Sequence, residues 1–325
     1  MRPVPSQALV LEAVEGLGEI TPGTDLAGLL ADVVDLRDGD VLVLTSKVVS
    51  KAEGRVVEGD RDGAVEDETL RVVARRGGTR IVENRQGLVL AAAGVDASNV
   101  AAGSVVLLPE DPDRSARVLR EGVLARTGHN VAVVVSDTAG RPWRTGQTDI
   151  AIGVAGMAPL EDFAGLVDGY GNALAVTAPA VADELAGAAE LVTGKLGGRP
   201  LTVARGLAQR VLPPGEHGQG ARSLQRPREQ DLFALGTREA VVAALAGADG
   251  DAFGTPADPA DLAAALTRCG RDVTGVGNAA VTLERTLLDS PEQVPQQDPV
   301  LAALLHAHRW RVDSVEPRVR LVPLP

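Results

Sequence analysis

The chain has one cysteine, Cys269, in 325 residues, which excludes an internal disulfide and argues against a thiolate metal centre. Aromatic residues make up only 2% of it, so any core must be built from Val, Leu and Ala. An uncharged bilayer-spanning run is lacking as well, for the most apolar helical stretch, "LAVTAPAVADELAGAAELV", carries Asp183 and Glu184. With no signal-peptide pattern at the N-terminus, the expectation is a cytoplasmic protein with no membrane partner. Positive charge is also short. A net charge of -12 argues against a nucleic-acid partner, because a phosphate backbone is met by clustered basic side chains. It leaves room for one small anionic ligand, since exposed charges more than about 8 Å apart are largely screened at physiological salt. Lysine is the scarcest cation, with only Lys47, Lys51 and Lys195 among 32 basic residues. In a chain this biased to Arg, a Lys hints that a compact, flexible ammonium is wanted, the alternative being three residual surface lysines.

The apolar runs "ALVLEAV" and "DVLVLTSKVVSK" read as β-strands, with a helix from Asp25 to Val34 between them, a βαβ-like opening. Further helices are expected at Glu66–Arg76, Asp113–Thr127 and from Pro179 to about Val192, and short strands at "GLVLAAAG", "SVVLLP", "IAIGVAG", "ALAVTA" and "PLTVARGL". Heavy punctuation by Gly and Pro favours an α+β (mixed α/β) fold over a regular doubly wound sheet. Composition changes beyond Leu235, which places a boundary near residues 235–250 and divides the chain into 1–240 and 241–325. The second part is expected to hold a helix capped by Asp258 or Asp261 and an edge strand in "VEPRVRLVPLP".

Several familiar motifs fail on spacing. In "GAAELVTGKLGG", Gly187 and Gly194 have six residues between them where a Walker loop has four, and Leu196 stands where a magnesium-reaching hydroxyl is needed. The segment is either a phosphate cradle of free backbone N–H groups beside Lys195 or a Gly-rich helix terminator. "GVGNAA" lacks the βαβ context of a dinucleotide fingerprint, no GxSxG elbow is present, and the four histidines lack metal-ligand spacing. The acids are more telling. Asp96 in "AAAGVDASNV" and Asp137 in "VVVSDTAGRPWRTG" each follow an apolar run, where they could converge on one hard cation or serve separately as turn and cap residues. Thr138 could add a hydroxyl ligand, and Arg141 and Arg144 could grip phosphate or carboxylate bidentately.

Four blocks, "LTSKVVSKAEG", "AAGVDASNV", "VSDTAGRPWRTGQTDIAIGVAG" and "AVADELAGAAELVTGK", together resemble the coenzyme F420-0:gamma-glutamyl ligase family in order and approximate spacing. The resemblance implies a two-lobed mixed α/β domain and a GTP-dependent enzyme. It would add L-glutamate to coenzyme F420-0 through an acyl phosphate, as a homodimer using two magnesium or manganese ions per site and potassium. It further implies that Asp96 and Asp137 share one divalent ion and that Thr138 ligates a second. The GTP contacts it implies are Leu17, Gly18, Glu19 and Ile20, then Ser46, Lys47 and Lys51, then Asn99, and last Leu191, Val192, Thr193, Gly194, Lys195, Leu196, Gly197 and Gly198. Arg141 and Arg144 are assigned to phosphate or substrate carboxylate. "RSLQRPREQDLFALGTREAV" resembles the junction of two-domain actinobacterial relatives, but the roughly ninety residues that follow are too few for their flavin-binding domain, so flavin chemistry is not carried over.

Overall fold

The computed structural model describes residues 8–284 and 290–325. The chain opens with β1 (Val10–Val14), α1 (Leu26–Val33), β2 (Val41–Thr45), α2 (Ser46–Ala52), β3 (Val56–Glu58), α3 (Arg61–Glu68), β4 (Thr69–Arg76), β5 (Thr79–Asn84), β6 (Val89–Ala91) and β7 (Ser104–Val106). It continues through α4 (Pro112–Thr127), β8 (Ala132–Arg141), β9 (Arg144–Ala155), α5 (Val181–Thr193) and β10 (Leu201–Arg205). Then come α6 (Thr237–Ala246), α7 (Pro259–Arg268), β11 (Val273–Val276), β12 (Val281–Leu283), α8 (Val294–Gln297), α9 (Pro299–His308), β13 (Trp310–Ser314) and β14 (Val319–Pro323). Several small sheets interleaved with helices make this an α+β fold.

Two compact units divide the chain: residues 1–72 with 79–225, and residues 73–78 with 226–325. The first is organised by a five-stranded sheet in the order β1-β10-β2-β8-β9, in which β2 and β8 are parallel and the other pairs antiparallel. β2 and β8 read as unbroken apolar runs because both faces of the sheet are covered. On one face Leu42, Leu44, Val133, Val135 and Ile152 pack with Leu30 of α1 and Leu119 and Val123 of α4. On the other, Val41, Val43, Val134 and Val154 pack with Leu185 and Ala189 of α5. The second unit has its own core, Leu262, Leu266, Leu283, Leu301, Trp310 and Leu321 among it, on the sheet β11-β12-β14-β13.

Four sequence expectations are corrected. The strand read through "DVLVLTSKVVSK" ends at Thr45, and Ser46–Ala52 is helical because Thr45 adopts an extended helix-capping conformation, so Val48 and Val49 pack one helical face into the core. The helix expected at Glu66–Arg76 stops at Glu68; Thr69–Arg76 is a strand, since the Gly77-Gly78 pair turns it into a hairpin with β5. "ALAVTA" forms no strand: its apolar side chains find no sheet partner beyond an isolated bridge from Ala173 to Val167. The last strand, β14, is internal between β12 and β13, its prolines falling at or outside the ends of the ladder.

Candidate active site

"VVVSDTAGRPWRTG" does not leave the sheet after its valines; β8 continues to Arg141 and returns as β9. A bulge lies between Val135 and Ser136, where Ile152 is the extra residue on β9. Bulges re-aim the side chains that follow. The next two residues, Asp137 and Thr138, then point to opposite faces of the sheet, and each meets its own cluster.

On the α2 face, parallel pairing sets Thr45 of β2 beside Ser136, which brings Ser46 at the start of α2 against Asp137. The Ser46 hydroxyl donates to Asp137 Oδ1 at 2.9 Å. Burial pushes the Asp137 carboxyl up to about 6, against the lowering pull of the Ser46 hydroxyl, the Thr138 amide and the Lys47 charge, with nearby Asp149 raising it further. Lys47 Nζ sits 2.5 Å from Asp96 Oδ2 and donates to Ser98 Oγ at 2.6 Å. Asp96 is fixed by a two-way backbone bridge to Val106, and it accepts from the Ser98 amide at 2.8 Å and hydroxyl at 3.0 Å. Partial burial pushes the Asp96 carboxyl up, but the Lys47 ammonium and the Ser98 donors outweigh it and hold the group below its usual value. Both aspartates thus lie in the field of one ammonium. Lys51, one turn on from Lys47 along the same helix face, reaches Glu19 Oε1 at 2.8 Å. Glu19 and Gly18 are exposed while Leu17 and Ile20 are buried, so two core anchors hold this loop against α2.

On the α5 face the centre is Asp149, only 7% exposed and paired across the hairpin with Thr138. Its Oδ1 accepts from the Thr138 hydroxyl at 2.7 Å and its Oδ2 from Ser136 at 3.3 Å. Lys195 closes this cluster, at 2.8 Å from Thr138 Oγ1, 3.1 Å from Glu190 Oε1 and 3.5 Å from Asp149 Oδ1. Burial works against the Lys195 charge, yet the Glu190 and Asp149 carboxylates hold it above its usual value. Two ammonium groups therefore each neutralise a pocket of oxygen ligands on the two faces of one strand.

A family model for the F420-0:gamma-glutamyl ligase matches residues 16–206. The chain belongs to that family. The matched span contains every residue of both clusters. Among proteins that the chain resembles is the coenzyme F420:L-glutamate ligase of Methanopyrus kandleri, 40% identical over 69% of this chain and 97% of that protein. The protein of the same name from Methanothermobacter thermautotrophicus is 37% identical over 69% of this chain and 98% of its own length. That from Halorubrum lacusprofundi is 42% identical over 60% of this chain and 86% of its own length.

The residues singled out in the sequence are not all brought together. Asp96, Asp137, Ser46 and Lys47 gather on one face, Thr138 and Lys195 on the other. Asn99, with a left-handed φ of 58°, turns the exposed loop just after Asp96 and Ser98. Arg141 and Arg144 pair with each other at the exposed hairpin tip, where Arg141 donates to the Thr145 carbonyl, away from both clusters' contacts. Leu191–Thr193 end α5, and Gly194 caps its C-terminus, so the Gly-rich run through Leu196, Gly197 and Gly198 terminates a helix locally. Sequence reading missed Asp149 and Glu190. Asp149 stands ahead of "IAIGVAG" like an ordinary strand-edge acid, and only the hairpin register brings it to Thr138.

The donors offered by Asp96, Asp137, Asp149, Ser46 and Thr138 are all oxygen, which suits a hard divalent cation. Among the described residues no three His, Cys, Asp or Glu side chains form a ready metal group. Any cation here must therefore take hydroxyl, water or ligand oxygens as well, and displace an ammonium from its carboxylate. Also among the described residues, no helix is long and apolar enough to cross a membrane.

Proposed function

We propose that this enzyme is a GTP-dependent ligase of coenzyme F420 biosynthesis that adds L-glutamate, once or repeatedly by gamma linkage, to coenzyme F420-0 in the cytoplasm. The acceptor carboxylate takes the gamma-phosphoryl group, giving an acyl phosphate and GDP. The glutamate amine then attacks the acyl carbon, a proton leaves the nitrogen, and phosphate departs. The observation that carries this reading is the pairing of oxygen clusters at Asp137 and Thr138, with the cations of α2 beside them.

Phosphoryl transfer asks little covalent chemistry of a protein and much positioning and charge neutralisation. Magnesium or manganese would be held by Asp96 and Asp137 on one face, and by Thr138 with Asp149 on the other, and would neutralise the phosphate oxygens when bound. Potassium would assist the nucleotide. Lys47, Lys51 and Lys195, released from their carboxylates, become mobile donors for phosphate, a role that suits an ammonium better than a guanidinium. Leu17–Ile20 and the 191–198 loop supply backbone contacts to GTP, and Asn99 a side-chain one. The homodimer finds support in the ribbon of residues 163–177, where Tyr170 is 95% and Val176 92% exposed.

The test uses F420-0 carrying a heavy-oxygen label in its acceptor carboxylate, with GTP, magnesium and L-glutamate. A glutamylated product, GDP, and phosphate bearing one labelled oxygen are expected. GTP binding without a glutamylated product would reduce the protein to a nucleotide-binding homologue, and unlabelled phosphate would rule out the acyl phosphate.

A further inference from the structure

The tip of the β8–β9 hairpin makes no contact with either cluster, and its turn is built against local rules. Arg141 and Arg144 are cross-strand partners, so Pro142 and Trp143 make the turn between them. Pro suits the first of these positions; the second, where φ is above zero, is one that Gly or Asn takes by default. Here it holds Trp143, with φ 59°. A bulky side chain in the left-handed region is strained, and such strain gathers at binding sites. The same residue is 88% exposed. Aromatic rings are scarce in this chain, with two Trp, three Phe and one Tyr. The other tryptophan, Trp310, is 3% exposed in the core of the second unit. Neither turn chemistry nor core packing accounts for a large ring at this tip.

The residues beside the ring add a second, independent observation. Arg141 is held in place: its Nη2 donates to the Thr145 carbonyl at 2.8 Å and lies over Gly146, where a Cβ would come within 3.4 Å of it. Among the described residues no carboxylate pairs with Arg141 or Arg144, and every residue from 141 to 147 is exposed. In a chain of net charge -12, two adjacent guanidinium groups without an acid mark a place for an anion. The tip is also aligned with the α2-face cluster. Side chains alternate along β8, so Asp137 and Arg141 share the α2 face, four residues and about 14 Å apart at the ordinary rise of a strand.

We propose that the β8–β9 tip binds a planar aromatic ring that carries an anionic group: Trp143 stacks on the ring, and Arg141 and Arg144 take the anion beside it. An exposed indole face stacks on any flat ring, and a guanidinium fork matches phosphate or carboxylate. An extended molecule bound this way runs its other end along β8 towards Asp137. Which molecule supplies the ring rests on the ligase reading above, under which there are two, the deazaflavin of coenzyme F420-0 and the guanine of GTP. The tip's demand for a ring and an anion stands apart from that reading.

Calorimetric titrations of the full chain with F420-0 and, separately, with GTP and magnesium test the tip. Trp143→Ala is expected to weaken one of the two about tenfold or more, the worth of one stacked ring. Trp143→Phe recovers most of that loss, Arg144→Gln weakens the same ligand, and the other ligand holds within about twofold. Trp143→Gly separates binding from folding, because it relieves the left-handed φ. Its melting temperature should match or exceed the parent's while its affinity falls like that of Trp143→Ala. In turnover the KM for the weakened ligand rises and kcat holds. A rise for F420-0 puts the deazaflavin on Trp143, and a rise for GTP puts the guanine there. Unchanged affinity for both ligands in Trp143→Ala and Trp143→Gly overturns the proposal. So does a changed sedimentation coefficient with both affinities intact, which makes the indole a contact between copies. Indole-dependent binding with no glutamylated product from the parent would remove the ligase reading and leave the tip's role standing; ordinary product from every variant at unchanged KM would do the reverse.

Discussion

Replacing Asp137 by Asn separates what the fold wants from what the chemistry wants. The carboxyl is pushed from its ordinary 3.8 to about 6, chiefly by burial, so the folded protein disfavours the charge. A raised folded value means that the native state holds a proton the unfolded chain has already released. Stability from this group is present below about pH 4 and is lost as pH rises through 6. The shift of about two units corresponds to about 3 kcal/mol at pH 7. Asn keeps the shape and still accepts from the Ser46 hydroxyl, while carrying no charge to desolvate. Asp137→Asn should therefore be more stable than the parent by up to about 3 kcal/mol at pH 7 and by almost nothing at pH 4. Urea unfolding at several pH values without divalent ions measures the difference. Adding magnesium should then stabilise the parent more than the variant, which keeps only the site at Thr138 and Asp149, because a cation that binds the native ionised site adds its binding free energy to folding. A variant less stable than the parent at pH 7, or a difference that is flat with pH, would refute the argument.

Lys195→Ala leaves the buried Asp149 with hydroxyl donors only, so a loss of about 1 kcal/mol at pH 7, discounted for the exposure of the lysine, should appear in urea unfolding. Added divalent cation should restore part of it. Arg120→Met strips the donor from several loop carbonyls and should lower stability by about 3 kcal/mol or more, with faster amide exchange across residues 212–217. If the proposed homodimer forms through the exposed ribbon, the parent should sediment as a dimer and Val176→Asp as a folded monomer; a parent that sediments as a monomer, or a variant that sediments unchanged, would overturn that contact.

Much of the first unit was legible because its signals are local. The valine run of β8, the capped helix behind Asp111 and the helix after Pro179 each follow from residues close in sequence. The start of α2 was not, since "TSKVVSK" reads as equally apolar on either period until the core takes Val48 and Val49. The two aspartates drew notice through type and position alone, and both fall beside Lys47 in the folded chain. Asp149 escaped because its meaning lies in a pairing eleven residues apart, with Thr138, that the bulge at Ile152 sets.

Asp96 and Asp137 are proposed to serve one divalent ion beside a guanine nucleotide. Manganese titration in the presence of GDP, followed by the disappearance of the free-ion resonance signal, addresses it most directly. The parent protein should take up two manganese ions per chain, and Asp96→Asn and Asp137→Asn should each take up one fewer, keeping the ion at Thr138 and Asp149, while remaining folded. Equal manganese binding by all three proteins would contradict the account.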